Sequence, residues 1–418
     1  MYRTSVVIIG AGQAGLAVSR LLAAASVDHV LLERGRVAES WRSQRWDSLR
    51  LLTPNWMTRL PQWSYRGTQP TGFMSAESVV TLLDSYADSF GAPVVTGTEV
   101  RSVRSCSEGF LVETDTATWR AEAVVVATGH AAEPKVPGYA AELDSSVRQI
   151  TPDRYRNPAD VPDGRVLVVG ASATGVQLAD ELRAAGRDVV LAAGRHTRMP
   201  RRYRGLDIMW WLDSMHLLAQ PADLSYGARP PERSLQLIGD ESGRNVDLAS
   251  LATRGIDIVG TVEGYADGAL MLRDDLVENR AAADAKLHRL LQRIDQFAVR
   301  AGLETELEPA HHPAATPPAV KPSPRRLVVG SHAVYTVIWA TGYRRRYDWL
   351  QLPVLDAAGE IRHIAGRTPV TGLAVVGMAW QTRRNSSFID GVGHDARLVV
   401  DHLLNDVLGS SQALREAS

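Results

Sequence analysis

Val6-Val7-Ile8-Ile9-Gly10-Ala11-Gly12-Gln13-Ala14-Gly15, near the start of a 418-residue chain, decides the fold class. An unbroken apolar run of strand length ends in a glycine turn and opens a helical pattern that lasts through Leu22. A second apolar run, His29-Val30-Leu31-Leu32, closes on Glu33 and Arg34. Strand, turn, helix and strand in that order make a βαβ unit of a parallel sheet buried on both faces. The three glycines have separate tasks. Gly10 permits the tight turn, Gly12 lets the backbone approach a pyrophosphate, and Gly15 lets the helix pack closely on the strand. The helix N-terminus, at Gln13 and Ala14, offers free amides to phosphate. Glu33 ends the next strand, where a carboxylate can bind ribose hydroxyls.

The pattern returns about 160 residues later. Val166-Leu167-Val168-Val169 leads into Gly170-Ala171-Ser172-Ala173-Thr174-Gly175, a helical segment to Ala185, and the apolar run Asp188-Val189-Val190-Leu191-Ala192. Ser172 stands at the middle glycine position, where its hydroxyl can donate to a phosphate. Glu33 lies 23 residues after Gly10, and the equivalent position after Gly170 is Ala193, so the acid is missing. Arg195 and Arg198 follow instead. A carboxylate repels a 2′-phosphate and an arginine pairs with it, so this unit is expected to prefer NADPH to NADH. An ordinary solvated loop carrying Arg195, Arg198, Arg201 and Arg202 is the alternative. A second near-repeat, Ala127-Thr128-Gly129 and Ala340-Thr341-Gly342, closes two further apolar strands and marks where each unit's chain crosses out. The expected architecture is α/β, with two Rossmann-like dinucleotide-binding domains, the first discontinuous and the second inserted into it. The boundaries are drawn at 1–148, 149–325 and 326–418.

Length and composition agree. The chain exceeds what one hydrophobic core supports. A formal net charge of -1 gives no electrostatic reason to expect nucleic acid or an anionic membrane as partner. The single cysteine, Cys106, excludes an internal disulfide, a redox dithiol and a cysteine-rich metal site. No apolar stretch has the length of a signal-peptide core or a membrane span, which makes the cytoplasm the expected location.

Taken together, the two glycine loops, the paired Ala-Thr-Gly strands, Glu39-Ser40-Trp41-Arg42, Arg45-Trp46-Asp47-Ser48-Leu49-Arg50-Leu51, Thr53-Pro54-Asn55 and Arg384 to Asp395 resemble the flavin-containing monooxygenases of the two-dinucleotide-domain type. This is class B, which includes YUCCA-like and bacterial flavoproteins. The resemblance implies FAD in the first unit and NADPH in the second. It also implies that reduced flavin and molecular oxygen form a C4a-peroxide that oxygenates nitrogen, sulfur or carbon of a small, mostly apolar molecule. The difficult chemistry is then the cofactor's, and the protein supplies positioning, electrostatics and a dry cavity. By the same resemblance Trp41, Arg42 and Val100 belong to the flavin site. Thr53, Asn55 and Ser387 lie near the flavin ring, and Phe388 and Ile389 precede a last helix whose N-terminal amides face the flavin.

The chain also departs from the family. The family signature between the domains carries a central histidine and an upstream Phe-Gly pair. Here Thr151 stands at the histidine position within Val147 to Tyr155, and the pair is missing. That keeps open an NADPH-dependent flavin oxidoreductase or oxidase that transfers no oxygen, and a flavin-binding sensor as a third class. His311-His312 in a proline-rich connector is not a metal site. Arg344-Arg345-Arg346 reads as a solvated turn, and Trp210-Trp211 as packing.

Overall fold

The computed structural model describes residues 1–222, 234–313, 324–330 and 333–409. The Pro-, Ala- and His-rich connector read from the sequence therefore lies partly outside the described residues. The first unit is built on β1 (Tyr2–Ile9), followed by α1 (Gln13–Ala24), β2 (His29–Leu32), the short α2 (Glu39–Ser43), α3 (Ala76–Asp88) and β3 (Val94–Val95). The hairpin strands β4 (Val100–Cys106) and β5 (Gly109–Thr114) lead into β6 (Thr118–Val126). The sheet order is β3-β2-β1-β6-β5-β4. β1 pairs in parallel with both β2 and β6, which places Ile9 beside Leu32 and Val126. Val6, Val7 and Ile8 are fully buried, as the apolar end of a strand covered on both faces requires.

The second unit repeats this plan. The five strands of its parallel sheet are β7 (Arg148–Ile150), β8 (Arg165–Val169), β9 (Asp188–Ala192), β10 (Asp257–Val259) and β11 (Val334–Trp339). They lie in the order β7-β11-β8-β9-β10, with every pairing parallel. Between β8 and β9 runs α4 (Ala173–Ala184). α5 (Ile208–Ser214) and the long α6 (Leu276–Arg300) form the irregular part of the unit. Trp211 is buried in their packing and Trp210 meets it edge to face, so the tryptophan pair is core.

The boundaries drawn from the sequence move. Val334–Trp339, assigned above to the returning first unit, pairs instead with β8, aligning Val169 with Trp339. The reason is geometric. A Cβ on Gly170 would lie 2.4 Å from Ala340 O, just as one on Gly10 would lie 2.8 Å from Ala127 O. Each Ala-Thr-Gly strand therefore closes behind the glycine turn of its own unit. The chain leaves the first unit after Gly129 and re-enters after Gly342. The two crossovers pair with each other, Glu133–Pro134 against Tyr343–Arg344, antiparallel. The first unit then finishes with β12 (Leu373–Val375), parallel to β6, and α7 (Val392–His402), which packs on α1.

Candidate active site

Both glycine turns open onto one cavity of about 2420 Å³. The two turns have nearly the same backbone. Gly10 and Gly170 have φ of +105° and +108°, a region that favours glycine. Gly12 and Ser172 are at φ −87°, ψ −172° and φ −82°, ψ −173°, so a serine at the second middle position costs no strain. Neither residue's side chain caps its helix, which leaves first-turn amides without a side-chain partner. A Cβ on Gly12 would meet no protein atom within 4 Å, whereas on Gly15 or Gly175 it would lie 1.9 or 1.7 Å from the carbonyl oxygen of Gly10 or Gly170. Gly12 leaves the cavity open, while Gly15 and Gly175 serve helix-to-strand contact and do not line it. These cradles fit a dinucleotide pyrophosphate at each turn.

Most of the residues singled out in the sequence come together on the cavity wall. From the first unit these are Gly10, Gly12, Gln13, Ala14, Glu33, Arg34, Trp41, Thr53, Val100 and Ala127 to Gly129. From the second come Gly170, Ser172, Thr174, Arg195 and Ala340 to Gly342, and from the C-terminal stretch Ser387, Phe388 and Ile389. Glu33 is held in place before any ligand arrives: its carboxylate accepts from Ala11 N at 2.8 Å and from Gly35 N at 2.9 Å.

Besides Gly15 and Gly175, three expected residues do not belong to the wall. Arg42, next to Trp41 on α2, turns away to donate to Val37 O at 2.9 Å and to pair with Asp84 of α3, because neighbouring helical positions face different directions. Asn55 is buried and donates to Gln69 O at 2.9 Å, leaving Thr53 as the member of its loop that faces the cavity. Arg198 is bound between Asp247 and Asp284, each at 2.7 Å and all three nearly buried, so its charge is committed to the protein. The solvated-loop alternative fits Arg202, which is exposed, and fails for Arg201. Arg201 is buried; it donates to Leu52 O at 2.8 Å, pairs with Asp207 and lies 5.0 Å from the Phe73 ring centre. It thus ties the second unit to the loop carrying Thr53.

Other wall residues escaped the sequence reading. Arg45 and Trp46, quoted above within the family-like segment but given no site role, follow α2, and His130 and Tyr343 directly follow the Ala-Thr-Gly strands; that adjacency was the available signal. Burial, with the Arg345 and Arg45 charges adding to it, holds His130 below the usual imidazole range. Burial likewise pushes the Tyr343 phenol up. Leu52, Met209, Leu212, Leu218 and Phe388 give one part of the wall an apolar lining. Met209 and Leu212 lie on α5, whose sequence carried no functional motif. Thr151 does not line the cavity, although its neighbour Pro152 does. Cys106 is half-buried at a strand end and off the wall. Among the described residues there is no metal-ligating cluster; His312 meets Asp295 at 2.7 Å and lies against the Tyr203 and His288 rings. No helix among them is long and apolar enough to cross a membrane.

Residues 7–207 match the family model described as pyridine nucleotide-disulphide oxidoreductase. A protein of Geobacillus kaustophilus named uncharacterized oxidoreductase CzcO-like is 31% identical over 403 residues, covering 96% of this chain and 98% of its own. The chain belongs to the class B flavin monooxygenase-like family. As a member of that family it is a flavin-dependent oxidoreductase that works with a flavin and a pyridine nucleotide. The indole-3-pyruvate monooxygenase YUCCA4 of Oryza sativa subsp. japonica is 32% identical over 198 residues, 42% of this chain and 44% of its own. The solved flavin-containing monooxygenase from Stenotrophomonas maltophilia, 18% identical, shares the fold with a TM-score of 0.67 over 97% of this chain and 99% of its own. With one cysteine in 418 residues, this flavoprotein lacks the dithiol that disulphide reduction would use.

Proposed function

We propose that the protein is an FAD- and NADPH-dependent monooxygenase acting on a small, mostly apolar molecule at nitrogen, sulfur or carbon. The supporting observation is one shared cavity, lined by both glycine turns and by the apolar side chains of Leu52, Met209, Leu212, Leu218 and Phe388. The bound cofactors supply hydride transfer and oxygen activation. In this reading the turn at Gly10, Gly12 and Ala14 holds the FAD pyrophosphate, and Glu33 accepts from ribose hydroxyls. Gly170, Ser172 and Thr174 hold the nicotinamide dinucleotide. Arg195, exposed on the wall, takes the 2′-phosphate role that Arg198 cannot. Thr53 and Ser387 stand beside the flavin ring, and the apolar wall orients the substrate and excludes water.

The test is an anaerobic NADPH titration of the yellow protein, followed by aerobic turnover with labelled oxygen. Flavin bleaching and one labelled oxygen atom in the product are expected. Peroxide and NADP⁺ alone, with every substrate offered, would favour the second reading, an NADPH-dependent flavin oxidoreductase or oxidase without oxygen transfer. Thr151 in place of the family histidine is the observation behind that reading.

A further inference from the structure

Arg45 is a half-buried cation on the cavity wall with no carboxylate at ion-pair distance among the described residues. Its guanidinium lies 5.1 Å from the Trp41 ring centre, and its Nη1 donates to the adjacent Gln44 O at 2.9 Å. It forms no ion pair among the described residues. Asp153 and the Tyr343 phenol act on it electrostatically, but Asp153 meets Arg154, at 3.8 Å. His130 and Tyr343 line the same part of the wall, so no carboxylate is supplied from the crossovers at those positions. A charge withdrawn from water is costly until an anion meets it. A guanidinium fork stacked on an aromatic ring is already oriented for phosphate.

What carries Arg45 decides which phosphate it meets. Its sequence position is in the first unit, yet residues 43–49 are fastened to the second. Arg156 donates to Arg45 O at 3.1 Å and to Ser43 O, and Asp47 N donates back to Arg156 O at 2.9 Å. Asn157 Nδ2 donates to Asp47 at 2.8 Å. Trp46, 6% exposed, is part of the second unit's hydrophobic core together with Ala171 and Val176, residues of the second glycine turn and of α4. The backbone that carries Arg45 is therefore held by the second unit.

We propose that Arg45 binds a phosphate of the pyridine dinucleotide, as a contact that the first unit encodes and the second unit carries. The inference rests on the pyridine-nucleotide site described above. Trp41, which holds the guanidinium, also donates to Gln13 Oε1 at 3.4 Å, so the same stack links this contact to the helix that opens at the first turn.

The test compares wild type, Arg45→Met and Arg45→Lys as flavin-loaded proteins, titrated with NADP⁺ by flavin absorbance or calorimetry at two salt concentrations. A lost charge-assisted contact is expected to weaken NADP⁺ binding by roughly 10- to 100-fold in Arg45→Met and to flatten the salt dependence. Arg45→Lys, which keeps the charge and loses the fork, is expected to fall between. Flavin content and thermal midpoint should match wild type. Unchanged NADP⁺ affinity in Arg45→Met overturns the inference while leaving the function reading intact. Loss of flavin with unchanged NADP⁺ affinity also overturns it, by assigning the contact to the flavin's own phosphates. Failure of wild type to bind NADP⁺ or NAD⁺ would remove the reading and the inference together. Should Arg45→Met not fold, Arg45→Lys decides: NADP⁺ binding equal to wild type refutes the contact.

Discussion

Replacing Gly12 and Gly15 by alanine, one at a time, separates ligand binding from folding within a single turn. The two residues are three positions apart and differ in what a methyl group would meet. At Gly15 the new Cβ would lie 1.9 Å from Gly10 O, so strand and helix must part by about 1.1 Å to reach even 3.0 Å, the shortest approach such atoms tolerate. Overpacking of this kind costs about 1–3 kcal/mol or more, against a total stability of roughly 5–15 kcal/mol. At Gly12 the methyl group meets no protein atom within 4 Å, and φ of −87° suits alanine. The fold should lose no more than about 1 kcal/mol there, the difference between glycine and the poorer N-cap alanine. The methyl group instead enters the space through which a pyrophosphate reaches the helix amides. Disturbing one or two charge-assisted hydrogen bonds weakens binding by about 10- to 100-fold or more. Thermal midpoints of the flavin-free proteins and FAD affinity by flavin fluorescence quenching measure the two effects. Gly15→Ala should lower the midpoint sharply, and Gly12→Ala should keep the midpoint and lose FAD. Wild-type FAD affinity in Gly12→Ala would refute the assignment of this turn to a dinucleotide.

Two further outcomes are expected. Arg195→Ser should reduce the NADPH-to-NADH ratio of catalytic efficiencies by about tenfold or more, because a guanidinium contact to a 2′-phosphate is worth roughly 1.5–3 kcal/mol; an unchanged ratio would show that Arg195 does not read the 2′-phosphate. Burial holds His29 and His196 below the usual imidazole range of 6.5. Between those lowered values and 6.5 the unfolded chain binds more protons than the native one, so stability is present above 6.5 and declines as pH falls below it. The contribution of the two rings should lower the thermal midpoint of the flavin-free protein on acidification from pH 7.5 to 5.5, against the opposite contribution of the buried carboxyls Glu181, Asp390 and Asp395; a drop that is unchanged when His29 and His196 are replaced by glutamine would contradict it.

The apolar strand runs, the glycine spacing and the repeat of both are local patterns, and a local pattern is enough to specify a βαβ unit. They made both glycine turns legible, together with Glu33 and the Ala-Thr-Gly pair. Sequence alone therefore determined the class of fold and the two glycine turns. It could not say which sheet Val334–Trp339 joins, because a strand's partner is set by register with residues far away in the chain. Nor could it say which arginine is free. Arg198 and Arg195 look equivalent in sequence, but Asp247 and Asp284, from elements 49 and 86 residues onward, neutralise only the first. Arg45 and the apolar wall of α5 reach the cavity only because segments of each unit pack against the other. Charge pairing and packing are decided by proximity in space, and that proximity exists only once the chain has folded.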